Sequence, residues 1–234
     1  MKLDSSLHPI FHDNVQGLIF DLDGTLIDSG GDIFQGMRMT FEQAGYDPLP
    51  EGYFPDNLHG TTGGIIRSII SDMGWAMPKD VRELEKLYMA NSLRLDLQHT
   101  HMYDGALELL QRCGAAGIPM GVCTNKSQAG AQHALRKFKL DSMFRFVTGC
   151  DTWAEAKPSP IPLIETARML GIAPEHCLYF GDTSTDAQSA SAANIRFVLH
   201  ESGYGDAELH GKPRHFTFHK WAELLYPEEQ ATFL

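Results

Sequence analysis

A chain of 234 residues, 43% of them apolar and 10% aromatic, is long for one simple domain and short for two large ones, so one core with a smaller insertion fits it. Its formal net charge of −11 argues against nucleic acid and anionic membranes as partners, because such a surface repels phosphate instead of releasing its counterions. Any phosphate site has to build its own positive field. The four cysteines, Cys113, Cys123, Cys150 and Cys177, contain no C-x-x-C pair, and three of them fall in apolar stretches, which reads as buried free thiols. No stretch approaches the ~18 apolar residues of a bilayer span, and residues 1–15 show no apolar signal core. The expectation is a soluble cytoplasmic protein, monomer or homodimer.

In chain order, the first element is V-Q-G-L-I-F (residues 15–20), a short apolar run that stops at Asp21. From about residue 29 to residue 102 the pattern turns helical, with segments 32–44, 62–73 and 79–97, and with Pro48, Pro50, Pro55 and Pro78 at the joints. After it, short apolar runs at 118–122, 144–147, 177–180 and 195–199 alternate with amphipathic stretches at 106–116, 127–138, 160–170 and 184–193. Runs that short, bounded by Gly or polar residues, read as buried parallel strands. Gly117 and Gly171 stand where helix C-terminal glycines belong. The fold class expected is α/β: a Rossmann-like parallel sheet core with helices on both faces, formed by residues 1–28 and 103–234, plus an inserted α-helical cap domain, residues 29–102.

Ligands of open α/β sheets bind beyond the carboxyl ends of the strands, and the residues there carry chemistry. The first run ends F-D-L-D-G-T, presenting Asp21 and Asp23; the second ends T-N-K-S, presenting Thr124 and Asn125. A-K-P-S-P presents Lys157 at a helix start, and G-D-T-S-T-D presents Asp182 and Asp186. Such a set suits phosphoryl transfer. Mg2+ takes oxygen ligands, which Asp21, the Asp23 backbone carbonyl and Asp182 offer. Asp21 is the expected nucleophile, forming an aspartyl phosphate, and Asp23 the general acid and base. Thr124, Asn125 and Lys157 donate to the phosphoryl oxygens, and Asp186 holds a metal-bound water.

The four segments D-L-D-G-T-L, T-N-K, K-P-S-P and G-D-T-S-T-D, in this order, resemble the motifs of the haloacid dehalogenase superfamily, and within it the phosphoglycolate phosphatase branch. The resemblance spans essentially the whole chain, including a helical cap between the first two motifs. It implies the same roles for Asp21, Asp23, Thr124, Asn125, Lys157 and Asp182, a Mg2+ cofactor, and a small-molecule phosphate ester as substrate, 2-phosphoglycolate foremost. Sugar phosphates, nucleotides and pyrophosphate are the other ester classes. Asn194 replaces the usual glycine after the alanine-rich helix, and His200 and Glu201 depart from the branch.

Three rival readings share parts of this site. A phosphomutase would pass the phosphoryl group to a second hydroxyl. A dehalogenase would leave Asp23 and Asp182 idle, and a non-catalytic binding protein would have no need of Asp21, Asp23 and Lys157 together. In the cap, His59-Gly60-Thr61-Thr62-Gly63-Gly64 opens a helix, so Thr61, Thr62, Gly63 and Arg67 are candidate substrate contacts. The histidines at 99, 101, 210, 215 and 219 lack partners at ligand spacing and read as surface residues.

Overall fold

Short apolar runs become parallel strands here because helices cover both faces of the sheet, so that the side chains along its central strands are buried on both sides. The computed structural model describes residues 7–225 apart from 54, 56, 57 and 59. In chain order its elements are β1 (Gly17–Phe20), β2 (Ile27–Asp28), α1 (Gly30–Gln43), α2 (Thr62–Asp72), α3 (Arg82–Leu95), β3 (His101–Met102), α4 (Ala106–Ala115), β4 (Met120–Cys123), α5 (Gln128–Lys137), β5 (Phe146–Thr148), α6 (Ile161–Leu170), β6 (Cys177–Gly181), α7 (Ser184–Ala192), β7 (Arg196–His200) and β8 (Phe216–Phe218). The strands β5-β4-β1-β6-β7-β8 form, in that order, one parallel sheet; β2 pairs with β3.

Strand β1 is central, its Phe20 registered against Val122 of β4 and Phe180 of β6. From β1 and β6, adjacent in the sheet, the chain proceeds in opposite directions, which opens a crevice at their carboxyl ends. One face of the sheet packs Ile19, Tyr179, Phe197 and Leu199 against Leu163, Ala167 and Leu170 of α6 and Ala187 and Ala190 of α7. On the opposite face Phe20 and Phe180 stack at 4.8 Å, with the Phe11 and Trp221 rings 6.2 and 5.9 Å from Phe180. Gly117, Gly171 and Asn194 all take left-handed backbone, at φ 73°, 76° and 56°, just past α4, α6 and α7. Asn194 thus does the work of a terminal glycine.

The chain divides into two compact units, Met1–Ile27 with Met102–Leu234, and Asp28–His101. Among the described residues, the regular elements of the second are the helices α1, α2 and α3 and the ends of β2 and β3. Met37 and Phe41 of α1 meet Ile65, Ile66, Ile69 and Ile70 of α2 and Leu84 and Tyr88 of α3. A buried Asn91 ties α3 to α1 by donating to Thr40 Oγ1 (3.2 Å) and Gln43 Oε1 (3.3 Å). Helix α3 is shorter than the 79–97 pattern suggests: Asp80 folds back to accept from the Arg82 N–H (3.0 Å), and Asp96 and Leu97 turn left-handed. No helix among the described residues is long and apolar enough to cross a membrane.

Candidate active site

Three adjacent strands, β4, β1 and β6, end side by side, and each is followed at once by a polar residue. Asp21 leaves β1 with its N–H donated to Phe180 O (2.8 Å), and Thr124 leaves β4 with its N–H donated to Thr148 O (2.9 Å). Asp182 follows β6, and Asp186 lies in the first turn of α7, where it and Thr183 form a capping box. Lys157 arrives from the loop before α6, its carbonyl accepting from Asn125 Nδ2 (3.1 Å). The structure therefore brings Asp21, Asp182, Asp186 and Lys157 together, with Thr124 and Asn125 on the neighbouring strand end. All six are buried.

Lys157 is the electrostatic hub. Its ammonium lies 2.6 Å from Asp186 Oδ1, 3.1 Å from Asp21 Oδ1 and 2.7 Å from the Tyr179 hydroxyl. Tyr179 in turn donates to Asp186 Oδ1 at 2.6 Å. The other oxygen of Asp186 accepts from Thr183 Oγ1 (2.6 Å), Thr183 N (3.1 Å) and Asp182 N (3.3 Å). Both Asp186 oxygens are thus committed to protein donors, which makes this residue the anchor of Lys157. Asp182 has its own cradle: Thr25 Oγ1 donates to Oδ1 and Tyr204 N to Oδ2, both at 2.8 Å. Gly24, at φ 84°, and Gly203 line it so closely that a Cβ on either would run into the Asp182 carboxyl group. His200 pins the same turn, its Nδ1 donating to Gly24 O at 2.9 Å.

Asp23 is held differently. Lys126 Nζ lies 3.0 Å from both of its carboxylate oxygens. Neither Lys126 nor Tyr179, His200 or Thr25 was singled out as a site residue on sequence grounds. Thr25 adjoins the D-x-D-G turn and Lys126 closes T-N-K, so those two had a local signal; the tyrosine and histidine had none.

Burial dominates the titration of these groups. It pushes Asp21 up to about 7, against the pull of Lys157 and with the push of Asp186. It raises Asp182 well above the ordinary carboxylate range, helped by Asp186 and Asp21. For Asp186 burial acts the same way but is outweighed by the charge and hydrogen bond of Lys157, so that carboxyl is held low. Burial would lower Lys157, yet Asp186 and Asp21 keep it raised and charged. Three buried carboxylates facing one ammonium leave negative charge uncompensated.

That imbalance is what a cation would correct. Carboxylate oxygens of Asp21, Asp182 and Asp186 lie within 4.8 Å of one another. Asp21 Oδ1, though near Lys157, has no aligned hydrogen bond among the described residues. An all-oxygen set of this charge fits a hard divalent ion such as Mg2+. With Asp186 already saturated, Asp21 and Asp182 are the carboxylates available to it.

Thr61, Thr62, Gly63 and Arg67 belong to the second unit. Thr61 N-caps α2, its hydroxyl accepting from Gly64 N at 3.3 Å, so that N–H is already used. A Cβ on Gly63 would strike Glu85 Oε1, and Arg67 is exposed. His59 lies outside the described residues.

The model of the Haloacid dehalogenase-like hydrolase family matches residues 18–200. A phosphoglycolate phosphatase of Cereibacter sphaeroides is 32% identical over 209 residues, 89% of this chain and 95% of that protein. One from Aquifex aeolicus is 30% identical over 208 residues, 89% and 94% of the two chains. Among solved structures, a predicted phosphoglycolate phosphatase from Haemophilus somnus superposes with a TM-score of 0.83 at 21% identity, over 91% of this chain and 97% of that one. CbbY from Rhodobacter sphaeroides, in complex with phosphate, superposes with a TM-score of 0.75 at 22% identity, over 90% and 96%.

Proposed function

Because this chain belongs to the haloacid dehalogenase-like hydrolases and is a phosphoric monoester hydrolase, we propose that it hydrolyses a small acidic monoester, 2-phosphoglycolate foremost, through an aspartyl phosphate on Asp21. The observation that carries this reading is the meeting of the Asp21 and Asp182 carboxylates with the Lys157 ammonium at the ends of β1 and β6. Asp21, the Asp23 carbonyl and Asp182 would hold Mg2+, which would supply the charge neutralisation that lets a carboxylate approach a phosphate.

An Asp21 oxygen attacks phosphorus in line as the bond from phosphorus to the ester oxygen breaks. Asp23 delivers its proton to that departing oxygen, then takes one from the water that attacks the phosphorylated Asp21; inorganic phosphate leaves and the carboxylate is restored. Lys157, Thr124 and the Asn125 backbone stabilise the charge on the phosphoryl oxygens. Lys157 can do this without drifting because Asp186 and Tyr179 fix its ammonium. The four cysteines, none of them in a disulfide among the described residues, suit a reducing cytoplasmic setting.

The test is phosphate release from 2-phosphoglycolate with Mg2+ present. Asp21→Asn is expected to abolish turnover with the fold retained, and retained activity within tenfold would refute the assignment. Chelation is expected to silence the wild-type enzyme and added Mg2+ to restore it. Transfer to a second hydroxyl without free phosphate would establish a mutase instead.

A further inference from the structure

We propose that Lys126 reads a negative charge on the leaving group, so that the enzyme selects small phosphate monoesters bearing a carboxylate a few bonds from the ester oxygen. The inference rests on the phosphatase reading above and names the residue that sets its substrate class.

The backbone of Lys126 is fixed on both sides: its N–H donates to Thr124 Oγ1 (3.2 Å) and its carbonyl accepts from Cys150 N (3.0 Å). Lys126 reaches Asp23 with its side chain. It precedes Ser127, the N-cap of α5, where the helix field is positive and disfavours a cation. The ammonium is nevertheless held there, side chain 15% exposed, 3.0 Å from both oxygens of Asp23. The two lysines of the site therefore face different carboxylates. Lys157, 2% exposed, faces Asp21 and Asp186 on the phosphoryl side. Lys126 faces the acid–base residue on the leaving-group side.

That placement sets a reach. The ester oxygen has to come within hydrogen-bond distance, about 3 Å, of an Asp23 oxygen, and Lys126 Nζ lies 3.0 Å beyond it. The ammonium therefore lies within about 6 Å of the ester oxygen, a span that the carboxylate of a two-carbon phosphorylated acid and one hydrogen bond can bridge. A protein of net charge −11 repels at long range a substrate that carries a carboxylate in addition to its phosphate, and a cation at the leaving group offsets that added charge.

The experiment compares kcat/KM for 2-phosphoglycolate and for 2-hydroxyethyl phosphate, which replaces the carboxylate by a neutral hydroxymethyl group, both with Mg2+. Wild type is expected to prefer the carboxylated ester by at least tenfold. Lys126→Met is expected to shrink that preference by roughly 10–100-fold, the scale of one charge-assisted hydrogen bond, chiefly through KM of the carboxylated ester. Lys126→Arg keeps the charge and is expected to hold the ratio within about fivefold; Lys126→Gln stands in should the methionine variant not fold. A preference unchanged within threefold in the neutral variants, including the case where both esters slow in parallel, overturns the proposal and leaves the hydrolase standing. So does a wild type with no preference. Should wild type free no phosphate from either ester, the hydrolase reading falls and this one with it.

Discussion

Replacing Asp186 with Asn tests how the buried charges are balanced. Five donors converge on its two oxygens: Lys157 Nζ and Tyr179 OH at 2.6 Å on Oδ1, and Thr183 Oγ1, Thr183 N and Asp182 N on Oδ2. An amide has only one oxygen, so in either orientation its NH2 points at groups that are themselves donors. Lys157 also loses its nearest counter-charge while remaining buried. Breaking one side of a buried ion pair costs roughly 3–5 kcal/mol. Asp21, 3.1 Å away, remains as a second counterion, which places the expected loss at the lower end, about 3 kcal/mol, or roughly a hundredfold in the unfolding equilibrium. The readout is urea unfolding followed by Trp153 and Trp221 fluorescence in a Trp75→Phe background, since Trp75 belongs to the other unit. A midpoint drop of about 1–2 M urea is expected. With Lys157 drawn onto Asp21, turnover is expected to fall at least tenfold as well. A stability loss under about 1 kcal/mol would show that Lys157 does not depend on Asp186.

The remaining predictions use the same carboxylates and the packing around them. Asp21 titrates at about 7 in the folded chain against an ordinary 3.8, and Asp182 is shifted the same way. A raised carboxyl adds stability below its unfolded value and loses it as pH climbs through the folded one. The metal-free protein should therefore have a lower melting temperature at pH 8 than at pH 5, and Mg2+ should raise it more at pH 8; equal Mg2+ shifts at both values would contradict this. Asp186, held low, contributes in the opposite sense, but only below about pH 4. Gly203→Ala drives a Cβ into Asp182 and the Gly24 carbonyl, so Mg2+ affinity by calorimetry should fall at least tenfold, and unchanged affinity would remove Gly203 from the cradle. Burial pushes Cys113, Cys123 and Cys177 up to about 12, so a thiol reagent should rapidly modify Cys150 and leave the others; fast loss of two or more thiols would count against it.

The sheet was legible because burial on both faces writes itself into composition. The runs ending at Phe20, Val122 and Phe180 had to be strands, and the stretches ending at Gly117, Gly171 and Asn194 had to be helices. β8 was not legible: three residues, F-T-F between histidines, carry too little periodicity to mark a strand, and its pairing with β7 exists only once the sheet is assembled. The departure at His200 also resolves in three dimensions, as a buried ring holding the turn after Asp23.

Residue types at strand ends could be read along the chain, since Asp21, Thr124, Lys157 and Asp182 each follow a local pattern that needs no neighbour to identify it. What the chain order could not say is which of these charges face each other. Asp186 reads as a water-holding residue in a linear motif, while the folded chain commits both its oxygens to Lys157, Tyr179, Thr183 and Asp182. Lys126 stands in the sequence only as the last residue of T-N-K, yet its ammonium lands on Asp23, 103 positions away. Pairing of buried charges is a tertiary property, because burial strengthens only those encounters that the assembled sheet brings within hydrogen-bond distance.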